Sequence, residues 1–255
     1  MWHFKLAKKM PIIDAGAPAK RDGEAKHPPC KHILSPASAD AAAAAEAERS
    51  VVRTSKLPHN CEAILRNAGL SPDKFIDRLH EGVFLKNKTQ KYWVEGSSSS
   101  NCFMVYARDL SITWSENTTY WTWFSFKDTP NDTLVEGVEL KNVCWLDISG
   151  KFETVNLTPG TTYEVVFVVK LEDPAYGWDT PVNVKLTLPS GQQISDRKVI
   201  LKEKMRYQWL DIPAGEFVPS SENAGEIRFS MYEHDSGTWK KGLFVKGVAI
   251  RPKSH

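Results

Sequence analysis

From Asn101 to Pro252 apolar and polar residues alternate in short runs separated by turn-forming residues. YEVVFVVKLED puts Tyr163, Val165, Phe167, Val169 and Leu171 on one face of a long strand. VNVKLTL alternates Val182, Val184, Leu186 and Leu188, then turns at Pro189-Ser190-Gly191. EIRFSMYE sets Ile227, Phe229 and Met231 against Glu226, Arg228, Ser230 and Tyr232. A period of two marks a half-buried strand. CFMVYA, KVILKEK, YQWLDI and KGLFVKGVAIRP read as further strands. VEGVELKNVCWLDISGKFET reads as two strands joined by a turn at Ser149-Gly150. Short alternating strands with turn signals between them, and no helical pattern of useful length, predict an all-β domain: an antiparallel β-sandwich or jelly roll.

Upstream the pattern changes. In CEAILRNAGL, Ile64, Leu65 and Ala68 recur at helical spacing and Gly69 stops the helix. SPDKFIDRLHEG opens on Ser71 as N-cap and Pro72 as first helical residue, carries Phe75, Ile76 and Leu79 as an apolar stripe, and ends at Gly82. KYWVEG is a strand and GSSSSN a flexible loop. Residues 57–100 are therefore expected to form a short helical appendage with a linker strand. Such a piece is too small to stand alone, so it packs on the main domain or on a partner. Residues 1–56 are punctuated by Pro11, Pro18, Pro28, Pro29 and Pro36, then run into ADAAAAAEAERS, which is helix-prone but has no face to dock. They are expected to be a disordered tail ahead of a β domain at 101–255.

Charge and composition narrow the function. The chain has 255 residues and a formal charge of +2. That excludes bulk electrostatic binding to nucleic acid or anionic membrane as the main activity. No apolar run reaches the length of a membrane span. MWHFKLAKKMPIIDAG has no signal-peptide core, since Lys5, Lys8, Lys9 and Pro11 interrupt it, and this predicts a cytosolic or nucleocytosolic protein. The Asn-x-Ser/Thr triplets at Asn87, Asn117, Asn131 and Asn156 are then chance matches. Cys30, Cys61, Cys102 and Cys144 contain no CxxC pair and are expected as free thiols, with Cys144 a small buried hydrophobe. The histidines show no paired metal spacing, so neither metal nor cofactor is expected.

The chemistry concentrates in ARDLSITWSENTTYWTW, residues 107–123, where Trp114, Trp121 and Trp123 flank a polar loop. An indole can cover the C–H face of a pyranose while polar groups at the rim meet its hydroxyls. A tryptophan in a β domain is more often core than ligand surface. Clustering around a polar loop shifts that balance for Trp114 and Trp121, and less for Trp123.

RDLSITW followed by YWTW, NVCWLDISGKFET, YEVVFVVKLEDPAYGW and TWKKGLFVKGVAIRP closely resemble the plant phloem lectins of the phloem protein 2 family, which is similar to the tobacco Nictaba-type lectins. The resemblance covers about 101–253 and extends upstream through SKLPHNCEAILRNAG and GVFLKNKTQKYWVE. It implies a non-catalytic lectin domain that binds N-acetylglucosamine oligomers, including the chitobiose core of N-glycans and glycoproteins that carry it. It carries over four site residues: Trp114 and Trp121 for stacking, Glu226 and Glu233 as hydrogen-bond acceptors. It also places the chain in the cytoplasm of phloem companion cells and sieve elements. The lysine cluster of the tobacco type has no counterpart beyond the scattered RKVILKEK.

Two further readings stay open. Glu226 and Glu233 are seven residues apart, so on an unbroken strand they face opposite sides, and one site needs the strand to end or bulge before Glu233. Paired carboxylates also raise a glycosidase, which needs them roughly 5–9.5 Å apart. Lys240, Lys241, Lys246 and Arg251 form either a solvated strand face or a basic strip for RNA or other phloem proteins. A homodimer is compatible with all of these.

Overall fold

The computed structural model describes residues 57–129 and 133–253. The expected tail, its alanine-rich run and Cys30 lie outside the described residues. Helix α1 (Cys61–Ala68) stops at Gly69, whose left-handed backbone suits glycine. Helix α2 (Pro72–Asp77) begins at Pro72 as expected but has only 6 residues. Ser71 makes no side-chain cap, and the helix ends before Leu79 rather than at Gly82.

The strands, all antiparallel, form two sheets. The first contains β1 (Val83–Leu85), β2 (Gln90–Val94), β3 (Asn101–Tyr106), β5 (Trp121–Phe126), β6 (Val135–Leu140), β8 (Tyr163–Tyr176), β11 (Leu210–Phe217) and β13 (Lys241–Pro252). The second contains β4 (Ser111–Ile112), β7 (Leu146–Glu153), β9 (Val182–Thr187), β10 (Gln193–Val199) and β12 (Glu226–Glu233), in the order β10-β9-β12-β7-β4. Strand β13 organises the first sheet. It pairs with β8 along one edge, while β6 meets its start and β3 its end along the other.

The predicted inward faces are buried: Tyr163, Val165, Phe167, Val169 and Leu171 on β8, and Ile227, Phe229 and Met231 on β12, are each at most 1% exposed. Phe167 and Phe229 meet edge to face across the sheets at 6.0 Å. Burying each large side chain contributes about 1.5–3 kcal/mol, so these two faces alone fix which side of each strand is in. Residues 57–100 share this core. Phe75 stacks on Tyr92, Tyr92 packs on Phe103, and β2 pairs with β3. Buried Asn101 donates to the carbonyls of His59 and Asn156 and accepts from the Tyr92 hydroxyl, tying the segment before α1 to the sandwich.

Two expectations at strand level are corrected. The turn expected at Ser149-Gly150 lies inside unbroken β7; the chain turns at 141–145 instead. Gly150 marks a close approach rather than a turn, since a Cβ there would stand 2.4 Å from the Phe229 ring. The strand expected at KVILKEK occupies Gln193–Val199, and the chain leaves the sheet after it. Cys61 and Cys102 are buried free thiols, while Cys144 is half-buried. Burial pushes the Cys102 thiol up to about 12. Among the described residues no helix is long and apolar enough to cross a membrane.

Candidate functional site

One end of the sandwich collects the loops after β4, β6, β8 and β12. Backbone hydrogen bonds knit them together. Thr113 donates to Asp147, Lys141 donates to Tyr120, and Val143 and Lys240 exchange bonds at 3.1 and 2.7 Å. The aromatics are displayed here: Trp114 is 50% exposed, Trp239 50% and Trp145 44%.

The three clustered tryptophans take different positions. Trp114 stands at the head of the polar loop, 5.4 Å from Tyr120, with its backbone at φ +63°. That left-handed conformation costs a side-chain-bearing residue about 1–2 kcal/mol and is held by the loop around it. Trp121 is 1% exposed and donates its indole N–H to the Thr113 carbonyl at 3.0 Å. In this geometry it offers no face to a sugar, because its neighbours on β5 and β6 turn it into the core. Trp123 repeats the device, donating to Ser115 at 3.1 Å, and Arg108 lies 3.5 Å over its ring while forking onto Glu136. The two inner indoles peg the loop that presents Trp114.

Glu233 is 4% exposed at the end of β12. One carboxylate oxygen accepts from the backbone N–H groups of Asp235 and Ser236 at 3.1 and 2.9 Å; the other accepts from the Ser236 hydroxyl and from Lys240. Lys240 is fully buried and also donates to the Thr238 carbonyl. These donors saturate Glu233, so it staples the loop Glu233–Lys240 rather than facing a ligand. Burial alone would raise its carboxyl, but the hydrogen bonds from Lys240 and Ser236 outweigh that and hold it below the ordinary glutamate value. A pKa lowered by folding gives a stabilisation present above the unfolded value of about 4.3 and lost as pH falls through the folded value. Melting curves between pH 7 and pH 3 are therefore expected to show an acid-side loss of stability that is shallower in a Glu233→Gln variant. Equal slopes would contradict this.

Glu226 begins β12, opposite Glu153, whereas Glu233 ends it opposite Leu146. Seven residues of unbroken strand separate them by roughly 23 Å, on opposite faces. The structure does not bring the two glutamates together, and they are too far apart for a glycosidase pair. Glu226 is held by Lys151 at 2.8 Å and Arg228 at 3.0 Å, which keep its carboxyl below the usual range. Of the C-terminal cations, Lys240 pairs with Glu233, Lys246 with Asp128, and Arg251 with Glu164 and Asp211. Three of the four cations considered as a basic strip are thus held in ion pairs, Lys241 being the exception.

Two site candidates, Trp145 and Trp239, were not singled out from the sequence as contacts. Trp145 stacks on His234 at 4.3 Å and 17°, and His234 stacks on Tyr232 at 5.2 Å. Trp239 rises from the stapled loop, and its carbonyl crowds Gly177: a Cβ there would lie 2.1 Å from that oxygen, at φ +83°. Gly177→Ala is accordingly expected to cost about 1–3 kcal/mol in denaturant titrations, by overpacking and backbone strain. An unchanged midpoint would contradict that contact.

Comparison with known proteins agrees with this architecture. The phloem protein 2 family profile matches residues 100–252. Protein PHLOEM PROTEIN 2-LIKE A1 of Arabidopsis thaliana is 63% identical over 206 residues, covering 78% of this chain and 83% of the relative. A protein of Luffa acutangula named lectin is 44% identical over 207 residues, covering 78% and 96%. The CBM22-1 xylan-binding domain from Paenibacillus barcinonensis Xyn10C superimposes with TM-score 0.33 and 10% identity, covering 65% of this chain and 94% of that one, a likeness too remote to carry an argument. On the profile match and these relatives, the chain belongs to the phloem protein 2 family.

Proposed function

We propose that this chain is a non-catalytic lectin that binds N-acetylglucosamine oligomers, such as chitin fragments and the chitobiose core of N-glycans, at the aromatic end of its sandwich. The observation that carries the reading is the display of Trp114, Trp145 and Trp239, each about half exposed, around a loop fastened by a buried ion pair. The Luffa relative's name supports the lectin class. In this reading Trp114 and the Trp145–His234 pair cover sugar C–H faces. Asp147, half-buried beside Thr113 and Tyr232, accepts from hydroxyls or the acetamido N–H. Trp121 and Glu233 serve as supports that position the contacts, and Glu226 lies outside the site. A shallow site of this kind binds at ~10⁻⁴ to 10⁻⁶ M, which favours repeated sugars. The name of the Arabidopsis relative favours work in the phloem.

Retention on chitin resin tests the reading. The intact chain and a Glu226→Gln variant are expected to bind and to elute with chitotriose, without releasing reducing ends from it. Passage through the resin, or loss of retention in Glu226→Gln, would contradict the site as drawn.

A further inference from the structure

The outward face of the five-stranded sheet continues from the aromatic end. Its register arranges polar side chains in rows across the strands. Asn183, Tyr232 and Asp147 form one row. Lys185, Ser230, Ser149 and Ser111 form the next. Their inward neighbours Val184, Met231 and Ile148 are fully buried, so strand alternation turns the rows outward. The Lys185 ammonium lying 5.7 Å over the Tyr232 ring confirms the shared face.

This face is unusual in what it leaves unused. Asp147, Ser149, Ser230 and Tyr232 are half-buried, yet the Asp147 carboxylate and the three hydroxyls have no hydrogen bond or ion pair among the described residues. Farther along the same face the charges neutralise one another, through Lys151, Glu226 and Arg228. The polar rows are thus bounded on one side by ion pairs and on the other by the Trp145–His234–Tyr232 stack. Strand β10 adds Lys198 beside Asn183 and Asp196 beside Lys185, so two aspartates and two lysines leave the floor electrically balanced.

We infer that this face is an extended binding trough for a linear, neutral, β-1,4-linked oligosaccharide lying across the strands. The inference rests on the lectin reading and adds to it the ligand's direction and length. A chain along the rows keeps one edge against the aromatic wall and the other over the serine floor. Each ring of such a chain advances by about one strand spacing, so five strands, roughly 19 Å wide, hold about four rings. Asp147 and Lys185 supply an acceptor and a donor. Ser149 and Ser230 lack bulk, which lets the rings come close to the sheet.

Calorimetry of the full chain with chitobiose and chitohexaose tests this, beside Ser149→Tyr, which fills the floor, and Lys185→Ala, which removes its donor. Far-ultraviolet dichroism verifies that each variant is folded. The wild type is expected to bind the hexamer at least about tenfold more tightly than the dimer. Both variants are expected to keep dimer affinity and lose most of that gain. A gain retained in both variants, or no gain in the wild type, would overturn the trough while leaving the aromatic site intact. Absence of binding to either sugar by the wild type would overturn the lectin reading and the trough with it.

Discussion

A Lys240→Met variant is expected to lose about 3–5 kcal/mol of stability, because it leaves the Glu233 carboxylate buried without its cation. The pair lies under the loop that carries Trp239 and beside the bridge between Val143 and Lys240, so its loss loosens the aromatic end first. For a domain of this size, about 2–4 °C of melting temperature accompanies each kcal/mol, which predicts a fall of about 10 °C. Sugar affinity should fall in parallel at temperatures well below the new midpoint. A Glu233→Gln, Lys240→Met double variant removes both charges and is expected to recover part of the loss, since a neutral amide still accepts from the backbone of Asp235 and Ser236. Urea titration of both singles and the double closes the cycle. A single variant costing under about 1 kcal/mol, as exposed pairs do, would contradict the buried staple.

Trp114→Gly should separate binding from folding. Its backbone already sits at φ +63°, where glycine is unstrained, and its ring is half exposed. Relief of strain and the greater freedom of the unfolded glycine oppose each other, so stability should stay within about 1 kcal/mol. Chitotriose affinity should fall by more than about tenfold, the 1.4 kcal/mol expected when a stacking face is removed. Trp121→Gly should behave in the opposite manner, unfolding the domain through loss of a buried indole. Equal sugar affinity for wild type and Trp114→Gly would remove Trp114 from the site.

The long strands were legible because their alternation is local. The faces of β8 and β12, the stop of α1 at Gly69 and the ending KGLFVKGVAIRP as β13 all follow from spacing. Ser149-Gly150 misled because a glycine that admits a cross-strand ring looks, in sequence, like a glycine that turns the chain. The site was legible in part. Clustering marked the loop at Trp114, and HDSG, directly after Glu233, is a turn-forming run that coincides with the end of β12. Which indole faces water depends on hydrogen bonds eight residues back, from Trp121 to Thr113 and Trp123 to Ser115, which no periodicity reveals. The saturation of Glu233 depends on Lys240 across a turn. Trp145 did carry a usable signal: with Leu146 and Ile148 inward, alternation sends Trp145, Asp147 and Ser149 outward. Its stacking on His234 required the pairing of β7 with β12.

The most direct measurement follows the nine tryptophan indole N–H resonances of the chain during titration with chitotriose. The account predicts that signals of Trp114, Trp145 and Trp239 move with one common saturation curve, while those of the buried Trp121 and Trp178 stay in place. Movement confined to indoles away from this end, or no movement at saturating sugar, would contradict it.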